Sequence, residues 1–305
     1  MAPLSVRKAP HSPMATKTLK RALLSSRTFL KADATLILVC GRQPNAVSPG
    51  GRDLIMDYAR KHLGKFQFFL AEKVFDLLGS DEVDLLSLEE HLLDYCDCVL
   101  LVLESESTFA ELGAFAIKKS LAKNMLVIND VAFRNHHSFI SLGPLAKVEK
   151  VSRFRPMIHV DLRSILRATP ELVDRLSRIE RRNNKRVSLD DAEKFRQLPS
   201  RTRMLFILDL ISIFQPLARR EIFDLLAYFY GENRFNIKLD LHLLEALGLA
   251  VTCKGYYLRN TDSQRLFFLY HGVDTMAVRS DVVNHYHKYA RDRVQCLGKR
   301  GGTVA

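Results

Sequence analysis

Asp97-Cys-Val-Leu-Leu-Val-Leu-Glu-Ser-Glu-Ser-Thr-Phe-Ala-Glu111-Leu-Gly-Ala-Phe115 decides how this chain folds. Residues 98–103 are an unbroken apolar run of strand length, the pattern of a strand covered on both faces. A short loop of small and acidic residues follows, and a helix over 109–121 opens on Glu111. An open α/β sheet offers side chains to ligands in this way, at the carboxyl ends of its strands.

Working outward, the same alternation recurs. Thr35–Cys40 is a second fully apolar strand, followed by the turn-forming loop Gly41-Arg-Gln-Pro-Asn-Ala-Val-Ser-Pro-Gly-Gly51. Residues 52–63 have helical period, with Leu54, Ile55, Tyr58, Ala59 and Leu63 on one face. Residues 66–70 read as a strand, 72–78 as a short helix, 87–95 as a helix capped by Ser87 with Glu90 three residues on, and 124–128 as a fourth strand. Alternating elements of these lengths predict a flavodoxin- or Rossmann-like parallel sheet with helices on both faces.

The two ends differ in character. Residues 1–15 carry three prolines and read as a disordered tail, with Met14 an alternative start to Met1, and 18–30 as a basic helix. Residues 162–185 form a long basic helical stretch that serves as a connector, and a helix restarts at Ser188. Beyond Pro199, helices over 202–214, 217–230 and 238–247 precede two short strands around Lys254-Gly255. That order predicts a winged helix-turn-helix, closed by an amphipathic helix over about 281–294. The expected organisation is a basic tail and helix (1–31), an α/β domain (32–150), a connector (151–198), a winged-helix domain (199–295) and a flexible tail (296–305).

The 305 residues are 47% hydrophobic, enough for packed cores. No run reaches the ~18 apolar residues that a membrane span needs, and no signal-peptide layout opens the chain, which predicts a cytoplasmic protein. Five cysteines without framework spacing fit a reducing compartment, and Cys96-x-Cys98 has no partner pair at zinc spacing, so packing is their reading. His136, His137 and His159 read as loop or strand residues. The net charge of +12 points to a polyanion, with nucleic acid first. Arg7, Lys8, Lys17, Lys20, Arg21, Arg27 and Lys31 crowd the first 31 residues without one acid, and a second basic block runs from Lys147 to Arg186. Arg234, Lys238, Lys254 and Arg259 are candidates for gripping a phosphate backbone. The third helix of the winged fold holds Asp240 and Glu245 and few residues suited to base edges, so sequence-specific duplex reading is disfavoured. Tyr256 and Tyr257 either stack on unpaired bases or pack.

A carboxylate at a sheet's ligand-binding edge suits one chemistry well. Breaking an N-glycosidic bond leaves an oxocarbenium-like sugar, which a carboxylate stabilises or traps. Glu111 is the candidate for that role. Glu104, Ser105, Ser107 and Phe109 lie around it as candidate substrate contacts. Cys40, Gly41 and Arg42 form the neighbouring strand-end loop, Arg42 or Arg52 is placed to pair a phosphate, and Glu72 enters from the adjacent strand end. A bland reading stands beside each: a glutamate in a helix's first turn also answers the macrodipole, Asp97 reads as the start of a strand, and Asp76 and Asp130 divide evenly between capping and ligand contact. No metal site is expected.

The segments Leu86–Glu90, Asp97–Phe115, Ile128–Phe133 and Ser138–Pro144 resemble effector proteins of bacterial retrons. Those effectors join a nucleoside deoxyribosyltransferase-like domain to a winged-helix domain. The residue match covers about 35–145, and the second half matches by architecture. Phe109-Ala-Glu-Leu-Gly113 carries most of it, because such enzymes set their nucleophilic glutamate there. The resemblance implies that Glu111 is the nucleophile and that the chain is an antiphage toxin. It implies partnership with a reverse transcriptase and with multicopy single-stranded DNA and its structured RNA, in a homo-oligomer or a larger assembly with those partners. It also implies attack on a nucleotide, NAD among them as substrate, with no cofactor. Deoxyribosyltransferases place an aspartate close before the glutamate, where this chain has Glu104-Ser-Glu106-Ser, so hydrolysis is favoured over base exchange. The alternative is a nucleic-acid-binding regulator, or a scaffold, whose first domain only senses a nucleotide.

Overall fold

The computed structural model describes residues 11–25, 28–31, 34–43, 49–79, 84–179, 185–231, 235–260 and 266–297, with Lys185 and Arg186 described by backbone alone. Met1, Arg234 and the segments 1–10 and 298–305 lie outside the described residues. The chain divides into two compact units, Ala34–Arg181 and Met1–Asp33 together with Arg182–Ala305.

The first unit is built on a five-stranded parallel sheet. Its strands are Thr35–Cys40, Phe66–Phe69, Cys98–Val102, Met125–Asp130 and Ile158–Val160. In space they run second, first, third, fourth, fifth, an order common to doubly wound sheets in which the chain reverses direction between the first and third strands. Register pairs Cys40 with Leu101 and Val102 with Ile128. Ile37, Val39, Leu100, Val102, Leu126 and Ile128 turn to one face and pack with Ile55 and Ala59 of the helix Gly51–His62 and with Leu172 and Leu176 of the helix Thr169–Ser177. Strand side chains alternate, so Leu36, Leu38, Cys40, Val99 and Leu101 face the opposite side; all are buried. The apolar runs are therefore continuous because both faces are covered.

Several boundaries depart from the sequence expectation, each for a local reason. The helix expected to open on Glu111 starts earlier, at Glu106, because Ser105 caps it: Thr108 Oγ1 accepts from Ser105 N at 3.2 Å. It ends at Ile117, and the short helix Lys119–Ala122 follows. The helix expected from Ser87 runs Leu85–Leu92, capped instead by Asp84, whose carboxylate accepts from Ser87 N at 2.8 Å. The segment 151–198, expected as a connector, supplies the fifth strand and a 3-10 helix, Leu162–Ala168, that lead into Thr169–Ser177. Only three residues long, the fifth strand carries too little periodicity to stand out.

In the second unit the helix at the start of the chain begins at Pro13, not at 18. Pro at the first helical position and Ser12 as cap explain the early start. His11 is fully buried, its Nδ1 2.8 Å from the Tyr286 hydroxyl, so the expected tail of 1–15 is partly ordered. Thr28–Leu30, expected to be helical, is a strand between Phe268–Tyr270 and Lys185–Val187 in a small antiparallel sheet. The helices Ser200–Phe214, Arg219–Tyr230 and Lys238–Ala246 lead to the strands Ala250–Cys253 and Tyr256–Arg259, which pair with each other, and Tyr256–Arg259 also pairs with Leu217–Ala218. Lys254 and Gly255 take positive φ at the turn, the conformation a two-residue hairpin loop needs. Asp209, fully buried, accepts from Phe267 N, Phe268 N and the Tyr270 hydroxyl and so ties the Ser200–Phe214 helix to the neighbouring strand. The C-terminal helix expected over 281–294 is two helices, Thr275–Tyr289 and Arg291–Leu297. Among the described residues no helix is long and apolar enough to cross a membrane.

Candidate active site

Two arrangements meet at the carboxyl ends of the first and third strands. The first holds the loop together. Glu104, just past the third strand, spreads its carboxylate over three backbone amides: Arg42 N at 3.0 Å and Arg52 N at 3.2 Å on Oε1, and Gly51 N at 2.8 Å on Oε2. Gly51 and Arg52 open the helix Gly51–His62, where free N–H groups and the helix dipole favour an anion. The protein's own carboxylate takes that place. The expectation that Glu104 contacts a sugar gives way to this clasp, since both its oxygens are committed to backbone. The glycines make it fit. A Cβ on Gly51 would sit 2.7 Å from Ile165 Cδ1, and one on Gly41 2.6 Å from Arg52 Cβ.

The second arrangement is chemical. Arg52 is buried, and its guanidinium donates to Glu72 Oε1 at 2.7 Å; it therefore anchors Glu72 and is not a free phosphate clamp. Arg42 is half-buried and donates to the Pro49 carbonyl at 3.3 Å. Beyond this ion pair lie Cys40, Glu89 and Glu111; the Cys40 Sγ and one carboxylate oxygen from each glutamate fall within 4.8 Å of one another. Glu111 projects from the second turn of its helix, not the first, so the macrodipole does not account for it. The Cys40 thiol hydrogen-bonds its carboxylate, and Glu111 Oε2 is buried without a hydrogen-bond partner. An orphaned carboxylate oxygen is costly inside a protein and makes this carboxylate a candidate for function.

Burial pushes the Glu111 carboxyl up to about 7; the Cys40 hydrogen bond and Arg52 oppose the rise, and Glu72 adds to it. Glu89 is 5% exposed, and burial, then the Glu111 and Glu72 charges, push it up to about 8. Burial likewise raises the Cys40 thiol well above its ordinary value. At neutral pH Glu89 holds a proton while Glu111 is part ionised: one acid and one carboxylate in a single buried spot. The trio has metal-ligand donor types and, as a cluster of protonatable groups, can also handle a proton.

Glu89 is the residue that the sequence reading passed over. Its signal was present, since Leu85, Leu88 and Leu92 define the apolar stripe of their helix and Glu89 lies on that stripe. Ser107 is one turn before Glu111, on the same face, with its Oγ 2.9 Å from Ser105 Oγ. Phe109 is half-buried and two residues from Glu111, off that face. A cavity of about 420 Å³ lies elsewhere in this unit, lined by Asn129, Phe133, Arg134, Glu149, His159 and Glu171. Another, of about 380 Å³, is lined by Leu54 and residues 163–167. Neither is lined by Glu111.

The expected phosphate-gripping residues of the second unit part company. Lys254 is exposed at the hairpin turn and donates to Gln295 at 3.0 Å; Lys238 is half-buried. Arg259 is 7% exposed, with its guanidinium over the Phe267 ring. It serves the interior and not the surface. Tyr257 is buried and Tyr256 lies under the Arg293 guanidinium, so both pack. Asp240, fully buried, pairs with Arg203 at 3.0 Å.

Residues 50–252 match the STM3845 retron effector protein family. The chain belongs to that family. It is 30% identical over 237 residues to the "Retron Ec73 putative ribosyltransferase/DNA-binding protein" of Escherichia coli, across 72% of this chain and 73% of that one. It is also 38% identical over 93 residues to the "Retron Ec86 putative ribosyltransferase/DNA-binding protein" of Escherichia coli, across 29% of this chain and 30% of that one. The retron effector resemblance read from Asp97–Phe115 is thereby shown.

Proposed function

We propose that this retron effector cleaves the N-glycosidic bond of a nucleotide, NAD or a related one, with Glu111 as nucleophile and Glu89 as proton carrier. The observation that carries the reading is the pairing of a partnerless Glu111 oxygen with the buried Glu89 carboxyl in one cluster. The ribosyltransferase name of the relatives agrees with it. In the first step the Glu111 carboxylate bonds to the anomeric carbon as the bond from that carbon to the base nitrogen breaks. A purine or pyrimidine leaves with the Glu89 proton. In the second step water attacks the same carbon, the ester to Glu111 breaks, and the water's proton returns to Glu89. Nicotinamide leaves NAD as a neutral base and needs no proton, so in that reaction Glu89 keeps its own and the proton of the attacking water passes to bulk solvent. Arg52 and Glu72 hold the site's charge balance, and Cys40 orients the nucleophile.

Release of free base, followed by chromatography, tests this with NAD and with deoxynucleosides and their phosphates. Glu111→Gln abolishes release from every substrate. Glu89→Gln sorts the substrates: it blocks purine and pyrimidine release and spares nicotinamide release. Tight, salt-dependent DNA binding without any base release supports the regulator reading instead.

The second unit is read as a winged helix, on the order of its three helices and hairpin. Charge and the DNA-binding name of the relatives support a role in holding the retron's single-stranded DNA and reverse transcriptase, with toxicity restrained until phage infection. Lys254 and Lys238 are the surface cations offered to phosphate, within a cytoplasmic assembly.

A further inference from the structure

Cys253, at the end of a hairpin strand, and Cys296, in the last described helix, bring their sulfur atoms to 2.6 Å. A bonded pair sits at about 2.05 Å, and a thiol hydrogen bond has no need of so close an approach. Neither cysteine is in a disulfide. Cys253 is half-exposed at the hairpin and Cys296 is 2% exposed behind it. Neighbouring contacts hold the two elements together. Lys254 donates to Gln295 at 3.0 Å, and Arg293 donates to Glu221 Oε2 at 2.9 Å while covering the Tyr256 ring. These contacts keep the hairpin and the helix beside one another.

We propose that Cys253 and Cys296 form a reversible redox-modification site whose oxidation clips the C-terminal helix to the hairpin. With a peroxide as oxidant, the accessible Cys253 sulfur attacks one peroxide oxygen as thiolate. The O–O bond breaks, leaving a sulfenic acid on Cys253 and, with the thiol proton, one water. The Cys296 sulfur then attacks the sulfenic sulfur: the S–S bond forms, the S–O bond breaks, and the hydroxyl leaves with the Cys296 proton as a second water. Two thiols lose two electrons, and the peroxide gains them. A dithiol reductant reverses the change. The disulfide closes a loop of 43 residues in sequence separation, long enough to restrict the unfolded chain and raise the melting temperature.

The test is mass spectrometry of the full chain treated with dilute hydrogen peroxide, then denatured and alkylated. The expected product is lighter by two hydrogens and takes up two fewer alkyl groups. Its non-reducing peptide map joins the Cys253 and Cys296 peptides, its melting temperature is raised, and dithiothreitol restores the original species. Cys253→Ser removes the link, while Cys96→Ser, remote in sequence from the pair, retains it. Alkylation of all five cysteines after treatment, or a link through Cys40, Cys96 or Cys98 in place of this one, overturns the proposal. If Cys253→Ser fails to fold, the peptide map of the wild-type chain decides alone.

Discussion

Glu89 and Glu111 come from different helices, one ahead of the third strand and one behind it, and place their carboxylates in the same buried cluster with the Cys40 thiol. Two carboxylates this close cannot easily both be charged. Burial holds Glu89 at about 8 and Glu111 at about 7, with the Glu111 charge adding to the rise at Glu89, the separation of acid from carboxylate that the proposed reaction uses.

The nucleophile is tested by Glu111→Gln. The carboxamide keeps the shape and removes the attacking oxygen charge, so base release falls by about 1000-fold or more. The melting temperature stays the same or rises, because an ionisable group with an orphaned oxygen is replaced by a neutral one. Kinetics and a thermal melt on the same sample check both statements.

Activity on purine or pyrimidine substrates has a bell-shaped pH profile. It rises as Glu111 ionises near 7 and declines as Glu89 loses its proton near 8. Nicotinamide release keeps the rising limb and lacks the decline. Initial rates across pH, with Glu89→Gln alongside, read this out.

Stability follows the same protons. Both groups hold their proton more tightly folded than unfolded, where the ordinary value is 4.5. Their contribution is full below that value and is lost as pH rises through about 7 and about 8. The melting temperature therefore drops on going from mildly acidic to mildly alkaline buffer, and Glu89→Gln flattens the slope in calorimetry.

How much of this was legible in the sequence depended on what each signal required. Three of the four expected parallel strands announced themselves because strands buried on both faces must be continuously apolar, and the Lys254-Gly255 hairpin because its turn needs residues that tolerate positive φ. The fifth strand and the strand Thr28–Leu30 were hidden, being three residues each and fixed by distant partners. Glu111 was singled out by its place after a strand. Glu104 and Arg52 were named for their charge, but charge alone does not tell an internal clasp from a ligand contact; the partners, Gly51 N and Glu72, lie 53 and 20 residues away. Arg259 misled in the same way, since a cation in a strand alternating between faces has even odds of pointing inward.

The Glu104 clasp is structural. Glu104→Ala strands three amides at the start of the Gly51–His62 helix and costs about 2–4 kcal/mol of stability. Gly51→Ala, forced against Ile165 Cδ1 at 2.7 Å and Glu104 Oε2 at 3.0 Å, costs about 1–3 kcal/mol. Chemical denaturation measures both.

In the second unit, Lys254→Ala weakens DNA binding and reduces the slope of log affinity against log salt by about 0.7–0.9. Arg259→Ala lowers the melting temperature and leaves that slope unchanged, since its guanidinium is buried. Fluorescence anisotropy at several salt concentrations separates the two.

The central claim is a covalent bond from Glu111 to a sugar. Acid-quenched wild-type protein, caught during turnover of NAD or a deoxynucleotide and digested for mass spectrometry, is predicted to carry a glycosyl ester on the peptide containing Glu111, absent in Glu111→Gln. Base release by Glu111→Gln at the wild-type rate, with no adduct on that wild-type peptide, contradicts the account.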